Sequence, residues 1–92
     1  MATTIELIFQ KVEGGKYTAS FISNDQPAVV QLQRNQGASV KVYANLDGME
    51  AVPVNFRLYG TDSVIFQVNA PAGVEITVES PVEVIAAKLM QQ

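Results

Sequence analysis

Short runs in which apolar and polar side chains alternate fill this chain of 92 residues, with turn-forming residues between them. Successive side chains of a β-strand point to opposite faces of the sheet, so the alternation predicts strands that are buried on one side. The chain has thirteen valines and six isoleucines against five leucines, and β-branched side chains fit a pleated sheet. No long helical pattern occurs, and the chain is therefore predicted to be all-β.

Eight strands are predicted, joined by connections that are short enough to favour antiparallel pairing. They cover residues 4–12, 16–22, 28–33, 39–46, 51–59, 63–69, 74–79 and 82–90. Regularly spaced turns of this kind are typical of an antiparallel β-sandwich, here of seven or eight short strands and either immunoglobulin-like or jelly-roll-like. One such domain is expected to cover residues 1–92. The last segment leaves an alternative open, because residues 86–90 are also good helix formers.

The chain contains no histidine, cysteine or tryptophan, which removes most of the side chains that perform chemistry. Catalytic triads that depend on histidine, disulfides and thiolate metal sites are thereby excluded. Asp47 and Glu50 lie in one predicted turn, but calcium needs six to eight oxygen ligands, and Asn45 is the only obvious third. We therefore expect no enzyme activity, no cofactor and no metal site.

The formal net charge is −3, and the whole excess lies in residues 62–92. Without a basic patch, the chain lacks the cations that bind phosphates or anionic membranes, so neither nucleic acid nor a membrane is an expected partner. The first residues show no cationic segment followed by an apolar run, as a signal peptide would, and the chain has no run long enough for a membrane span. The expectation is a protein made in the cytoplasm without a signal peptide.

Outward positions of the predicted strands hold the candidate binding residues. Tyr43 and Tyr59 fall on such positions, and Arg57 shares the outward face of its strand with Tyr59. Exposed tyrosine and arginine are typical anchors of protein interfaces. The same side chains, together with outward asparagine and glutamine amides, also suit a glycan. Of these two alternatives the protein interface is favoured, since tryptophan, the best stacking surface for a sugar, is absent.

Several branched apolar side chains also fall opposite the inward sets. Ile8 and Ile65 are the two most informative, and Ile22, Val29 and Ile85 share this property. If such residues lie together, they form an apolar patch of a kind that monomers rarely expose. We therefore expect a homo-oligomer or a module that docks on another structural protein, with a glycan as the alternative partner.

The first hairpin resembles the start of small proteins of phages and prophages from gut bacteria, regarded as capsid accessory or other virion structural proteins. The likeness rests on residues 4–7, Phe9, residues 11–12, the pair Gly14-Gly15 and residues 17–21. It implies a β-sandwich present in repeated copies, with a role as a virion decoration or attachment protein and assembly into a virion. The pattern contains only residues that determine the fold, so it assigns no functional residue.

Overall fold

The computed structural model of the protein describes residues 3–91, which form ten β-strands and no helix. The strands are β1 (Thr3–Glu6), β2 (Gln10–Val12), β3 (Lys16–Ile22), β4 (Ala28–Arg34), β5 (Lys41–Asn45), β6 (Val52–Pro53), β7 (Leu58–Gly60), β8 (Val64–Val68), β9 (Glu75–Ser80) and β10 (Val84–Gln91). Sheet A has the order β1-β10-β4-β8-β7, and sheet B has the order β2-β3-β9-β5-β6. Every strand pair is antiparallel, which confirms the predicted antiparallel β-sandwich.

The strand order is that of a jelly roll. The chain has eight extended arms when β1 and β2 are counted as the first arm and β6 and β7 as the fifth. The arms are ordered 1-8-3-6 in sheet A and 2-7-4-5 in sheet B, with β7 from arm 5 as an added edge strand of sheet A and β2 from arm 1 as an added edge strand of sheet B. This order arises when one long hairpin, in which arm 1 lies beside arm 8 and arm 4 beside arm 5, is rolled into two sheets. An immunoglobulin sandwich instead pairs its first two strands within one sheet.

Two of the eight predicted strands are divided in the structure, which raises the number to ten. The predicted strand at 4–12 becomes β1 in sheet A and β2 in sheet B, and that at 51–59 becomes β6 in sheet B and β7 in sheet A. Each segment therefore crosses from one sheet to the other at one side of the sandwich. The backbone stays bonded near both crossings: Leu7 N–H donates to Ala87 C=O over 3.0 Å, and Val54 N–H donates to Val42 C=O over 2.8 Å.

The C-terminal segment is extended. β10 covers Val84–Gln91 and lies between β1 and β4. The strand prediction for this segment is confirmed, and the alternative of a helical turn at residues 86–90 is wrong. Residues 3–91 contain no helix that is long and apolar enough to cross a membrane.

The core lies between the two sheets and consists of aliphatic side chains around one aromatic ring. Phe66 is buried, and the ring of Phe56 packs against it with centroids 4.8 Å apart. Phe9 and Phe21 are partly buried against the same cluster. The largest fully buried neighbours are Leu32, Ile76, Leu89, Val30, Val64, Val68 and Val78. All four phenylalanines of the chain therefore contribute to the core.

A buried arginine closes one end of this core. The predicted strand at 28–33 stopped one residue short of Arg34, which is the last residue of β4 and only 4% exposed. Its Nε donates to the carbonyl of Asp62 over 2.8 Å and its Nη2 to the carbonyl of Thr61 over 2.9 Å. Burial lowers the pKa of Arg34 from its ordinary value, while the charge of Asp62 acts in the opposite direction. Carbonyl oxygens therefore hold this cation in place and tie the turn before β8 to β4.

Candidate functional site

The predicted site residues lie on three different parts of the surface. Arg57, Tyr59 and Ile65 lie together on the outer face of sheet A, because β7 and β8 are neighbours there. Tyr43 lies on sheet B, and Ile8 lies at the first crossing between the sheets. Two surfaces therefore need separate consideration, the outer face of sheet A and the edge formed by residues 3–12.

One row of side chains crosses the outer face of sheet A from edge to edge. From one edge of the sheet to the other, the register gives the row Glu6 on β1, Lys88 on β10, Gln31 on β4, Ile65 on β8 and Tyr59 on β7. Tyr59 is 56% exposed, and the guanidinium carbon of Arg57 lies 5.6 Å from the centroid of its ring. A stack of this kind holds both side chains in place at the edge of the sheet.

A shallow groove lies beside this row. It is lined by Gln31, Gln33, Ala86, Ala87 and Lys88. The register between β10 and β4 shifts between Val84 and Ala86, and Ala86 then stands opposite Gln33. The short alanine side chain forms the floor, and the longer side chains form the walls. Within residues 3–91, the Gln31 and Gln33 amides and the Lys88 ammonium form no side-chain hydrogen bond or ion pair.

The edge formed by residues 3–12 exposes a set of branched apolar side chains. We call this set the apolar edge, and its members are Ile5 and Ile8 together with Ile85, which lies beside them on β10. Ile8 is 66% exposed and Ile85 is 56% exposed, and both line one groove with Leu7, Phe9 and Val84. Of the outward isoleucines singled out in the sequence, Ile8 and Ile85 therefore lie together. Ile65 and Ile22 lie apart from them, on the outer faces of sheets A and B.

Ile5 belongs to the apolar edge for a different reason. It stands opposite Leu89, in the row that continues through Val30 to Phe66, so its side chain is on the core-facing side of sheet A. It is nevertheless 53% exposed, because β1 is the outermost strand and no further strand flanks it. The sequence places Ile5 on the same face as Leu7 and Phe9, but it gives no sign that this position is left partly uncovered.

The backbone of β1 also has an unpaired side. Leu7 stands opposite Ala87 and donates to its carbonyl. In an antiparallel pair, every second residue of a strand forms backbone hydrogen bonds to the neighbouring strand, so Ile5 is also bonded to β10. The N–H and C=O groups of Thr4 and Glu6 therefore point away from the sheet. An unpaired strand edge is a template for pairing with another chain.

The other edge strands carry features that discourage such pairing. β6 ends at Pro53, which has no N–H to donate and lies at the edge of sheet B, where proline is tolerated. β2 carries Lys11, and β7, which starts just after Arg57, has only three residues. Lysine, proline and shortness are common protections of edge strands against edge-to-edge association. β1 has neither lysine nor proline, and with four residues it is the longest of the edge strands, so it is the least protected edge of the sandwich.

The outer face of sheet B is occupied by its own polar contacts. Lys16 Nζ lies 3.8 Å from a carboxylate oxygen of Glu79, and the hydroxyls of Ser20 and Thr77 are 3.0 Å apart. Tyr43 is opposite Thr77 and half-buried, which leaves less of its ring available than that of Tyr59. Of the two tyrosines predicted as anchors, Tyr59 is therefore the stronger candidate.

No arrangement for metal binding is present in the described part of the chain, where no three carboxylates are grouped closely enough to hold an ion. Comparison of the chain with protein-family models, curated proteins and solved structures gives no match. The surfaces described above are therefore the basis for a functional proposal.

Sequence reasoning missed Ile5, Ala86 and Lys88 as surface candidates, because their significance depends on which strands become neighbours.

Proposed function

We propose that the protein is a non-catalytic structural module that self-associates by pairing β1 of one copy with β1 of a second copy. The observation that carries this proposal is the combination at one edge of exposed isoleucines with unpaired backbone groups at Thr4 and Glu6. Pairing would satisfy those backbone groups and remove apolar surface from water. A second copy fits because a twofold axis brings the same surface of each chain together.

The side chains select one register for this pairing. Thr4 and Glu6 have backbone N–H and C=O groups that point away from sheet A. In an antiparallel pair of two β1 strands, each of these residues must stand opposite a Thr4 or Glu6 of the second copy to form hydrogen bonds. Centring the twofold axis on Ile5 pairs Thr4 with the second copy's Glu6 and places the two Ile5 side chains opposite each other. Centring it on Glu6 would oppose two like charges, which destabilises a strand pair. The register centred on Ile5 is therefore the one we propose, and it joins the two copies of sheet A into one continuous sheet.

The remaining members of the apolar edge flank this junction. Ile8 lies two residues after the end of β1, and Ile85 lines the same groove as Ile8. Because Ile8 and Ile85 are exposed, they offer the second copy an apolar surface to pack against, next to the paired β1 strands. The aliphatic side chains would then provide most of the stabilisation, while the hydrogen bonds of β1 determine the register.

The setting that we propose for this association is a phage particle, with the protein as a decoration or attachment subunit. The support for it is the likeness of the first hairpin to phage virion proteins, together with a surface suited to repeated copies. The jelly roll itself does not decide the matter, because it occurs in capsid and in lectin domains alike. Mass spectrometry of particles purified from a strain that carries the gene tests this setting directly.

Light scattering during size-exclusion chromatography tests self-association. The native protein should have twice the 9.9 kDa mass of one chain, and the Ile5→Lys and Ile8→Lys variants should fall to the mass of one chain. In Ile5→Lys, two ammonium groups would oppose each other across the axis. Ile22→Lys is the matched control, since Ile22 is 57% exposed on the outer face of sheet B. Circular dichroism verifies that each variant is folded.

Two outcomes would contradict the proposal. One is a native protein with the mass of a single chain at every concentration. The other is association that Ile5→Lys and Ile8→Lys leave intact while Ile22→Lys abolishes it, which would move the contact to sheet B.

A further inference from the structure

We infer that the outer face of sheet A is a binding site for an uncharged oligosaccharide, a role separate from the self-association proposed above. The site consists of the groove lined by Gln31, Gln33, Ala86 and Lys88, together with the exposed ring of Tyr59. Three observations support this assignment: unpaired amides, a small-residue floor and an aromatic side chain on the same face.

The amides supply the hydrogen bonds that a sugar requires. Each glutamine side chain offers two donors and one acceptor oxygen, which matches hydroxyl groups that both donate and accept. Gln31 and Gln33 are two residues apart on β4 and therefore lie side by side on this face. Neither side chain is engaged within the described part of the protein, so binding a ligand breaks no internal hydrogen bond.

The apolar parts of the site suit the C–H face of a sugar ring. Ala86 provides a flat floor that no long side chain fills, and Ile65 lies between Gln31 and Tyr59 in the row. The Tyr59 ring offers a larger apolar surface with a polar hydroxyl at its tip. Arg57 lies over this ring and holds it in place, with guanidinium donors free to contact a hydroxyl.

The dimensions and charges define the class of ligand. Lys88 and Tyr59 are separated by three strand spacings, which is about 14 Å, so the site spans a short oligosaccharide rather than a single sugar. Lys88 stands opposite Glu6 in the register, and the two opposite charges offset each other. Among the described residues, Arg57 at the far end is then the one charge of the site that has no such partner, and the groups between it and Lys88 are neutral hydrogen-bonding or apolar side chains, which favours an uncharged ligand.

Nuclear magnetic resonance titration of the full chain tests this inference. The probes are hexasaccharides of glucose (α- and β-linked), mannose, galactose and N-acetylglucosamine, each added to about 10 mM, ten times a Kd of about 1 mM. At least one should shift the side-chain amide signals of Gln31 and Gln33 in a saturable way. Tyr59→Ala should weaken that binding by about tenfold. Tyr43→Ala is the matched control, because Tyr43 lies on sheet B, and it should leave the affinity unchanged.

Gln31→Ala provides a second variant that does not depend on the aromatic ring, and it should weaken binding to a similar degree. Failure of all five saccharides to shift the Gln31 and Gln33 signals would overturn the inference. Binding that Tyr43→Ala weakens and Tyr59→Ala does not would overturn it as well. Neither result bears on self-association, since Ile5 and Ile8 are unchanged in these variants.

Discussion

Arg34 and Ser80 belong to different sheets, yet Nη1 of Arg34 donates to the Ser80 hydroxyl over 3.4 Å inside the protein. The Ser80 hydroxyl in turn donates to the carbonyl of Val82 over 2.8 Å. Together with the bonds from Arg34 to the carbonyls of Thr61 and Asp62, these contacts link both sheets and two turns at one end of the sandwich. In a chain without disulfides, such a polar network fixes the ends of strands that packing alone leaves loose.

Arg34→Met should therefore destabilise the protein by about 2–3 kcal/mol, because it removes charged hydrogen bonds and leaves partly buried carbonyls without this donor. Urea unfolding followed by circular dichroism gives the free energy of unfolding. Arg57→Met is the control, and it should change the stability by no more than about 0.5 kcal/mol, since Arg57 is exposed. Equal losses in the two variants would show that the buried network contributes nothing specific.

Gly60→Ala should be more costly than the same change at Gly14. Both glycines have positive φ, 99° at Gly60 and 87° at Gly14. A Cβ on Gly60 would lie 2.2 Å from the carbonyl oxygen of Ser63, whereas one on Gly14 would have no atom within 4 Å. We expect a loss of about 1–2 kcal/mol at Gly14 from the backbone conformation alone, and a larger loss at Gly60. Thermal unfolding of the two variants measures the difference, and equal melting temperatures would contradict the described turn.

Ile65→Lys should leave self-association unchanged. The sequence pattern grouped Ile65 with Ile8, but Ile65 lies on β8, and Ile8 follows β1, which is three strands away in sheet A. Sedimentation equilibrium of Ile65→Lys beside Ile8→Lys measures the two dissociation constants. Loss of association in Ile65→Lys alone would place the contact on the outer face of sheet A and not at the apolar edge.

The alternation of side chains predicted the fold class well because burial on one face of a strand leaves a direct trace in the sequence. The alternation did not predict that the chain passes from one sheet to the other at residues 7–9 and 54–57, because apolar and polar side chains continue to alternate through both crossings. The predicted third strand ended before Arg34, and only its distant partners Thr61, Asp62 and Ser80 explain the burial of this residue. The candidate surfaces depend on neighbours in the same way, since Ile5 and Leu7 share a face in the sequence pattern, but Leu7 is buried at the crossing between the sheets and Ile5 is exposed.

Disulfide cross-linking of Ile5→Cys is the most direct measurement of the proposed pairing of β1 with β1. The natural chain has no cysteine, so the new thiol can join only a second copy. Residues facing each other across the proposed axis form a non-hydrogen-bonded pair, with Cα atoms about 4.5 Å apart, which lies within the range of a disulfide. Under mild oxidation, Ile5→Cys should become a covalent dimer much faster than Ile22→Cys. Equal rates for the two variants, or no dimer from Ile5→Cys, would contradict the account.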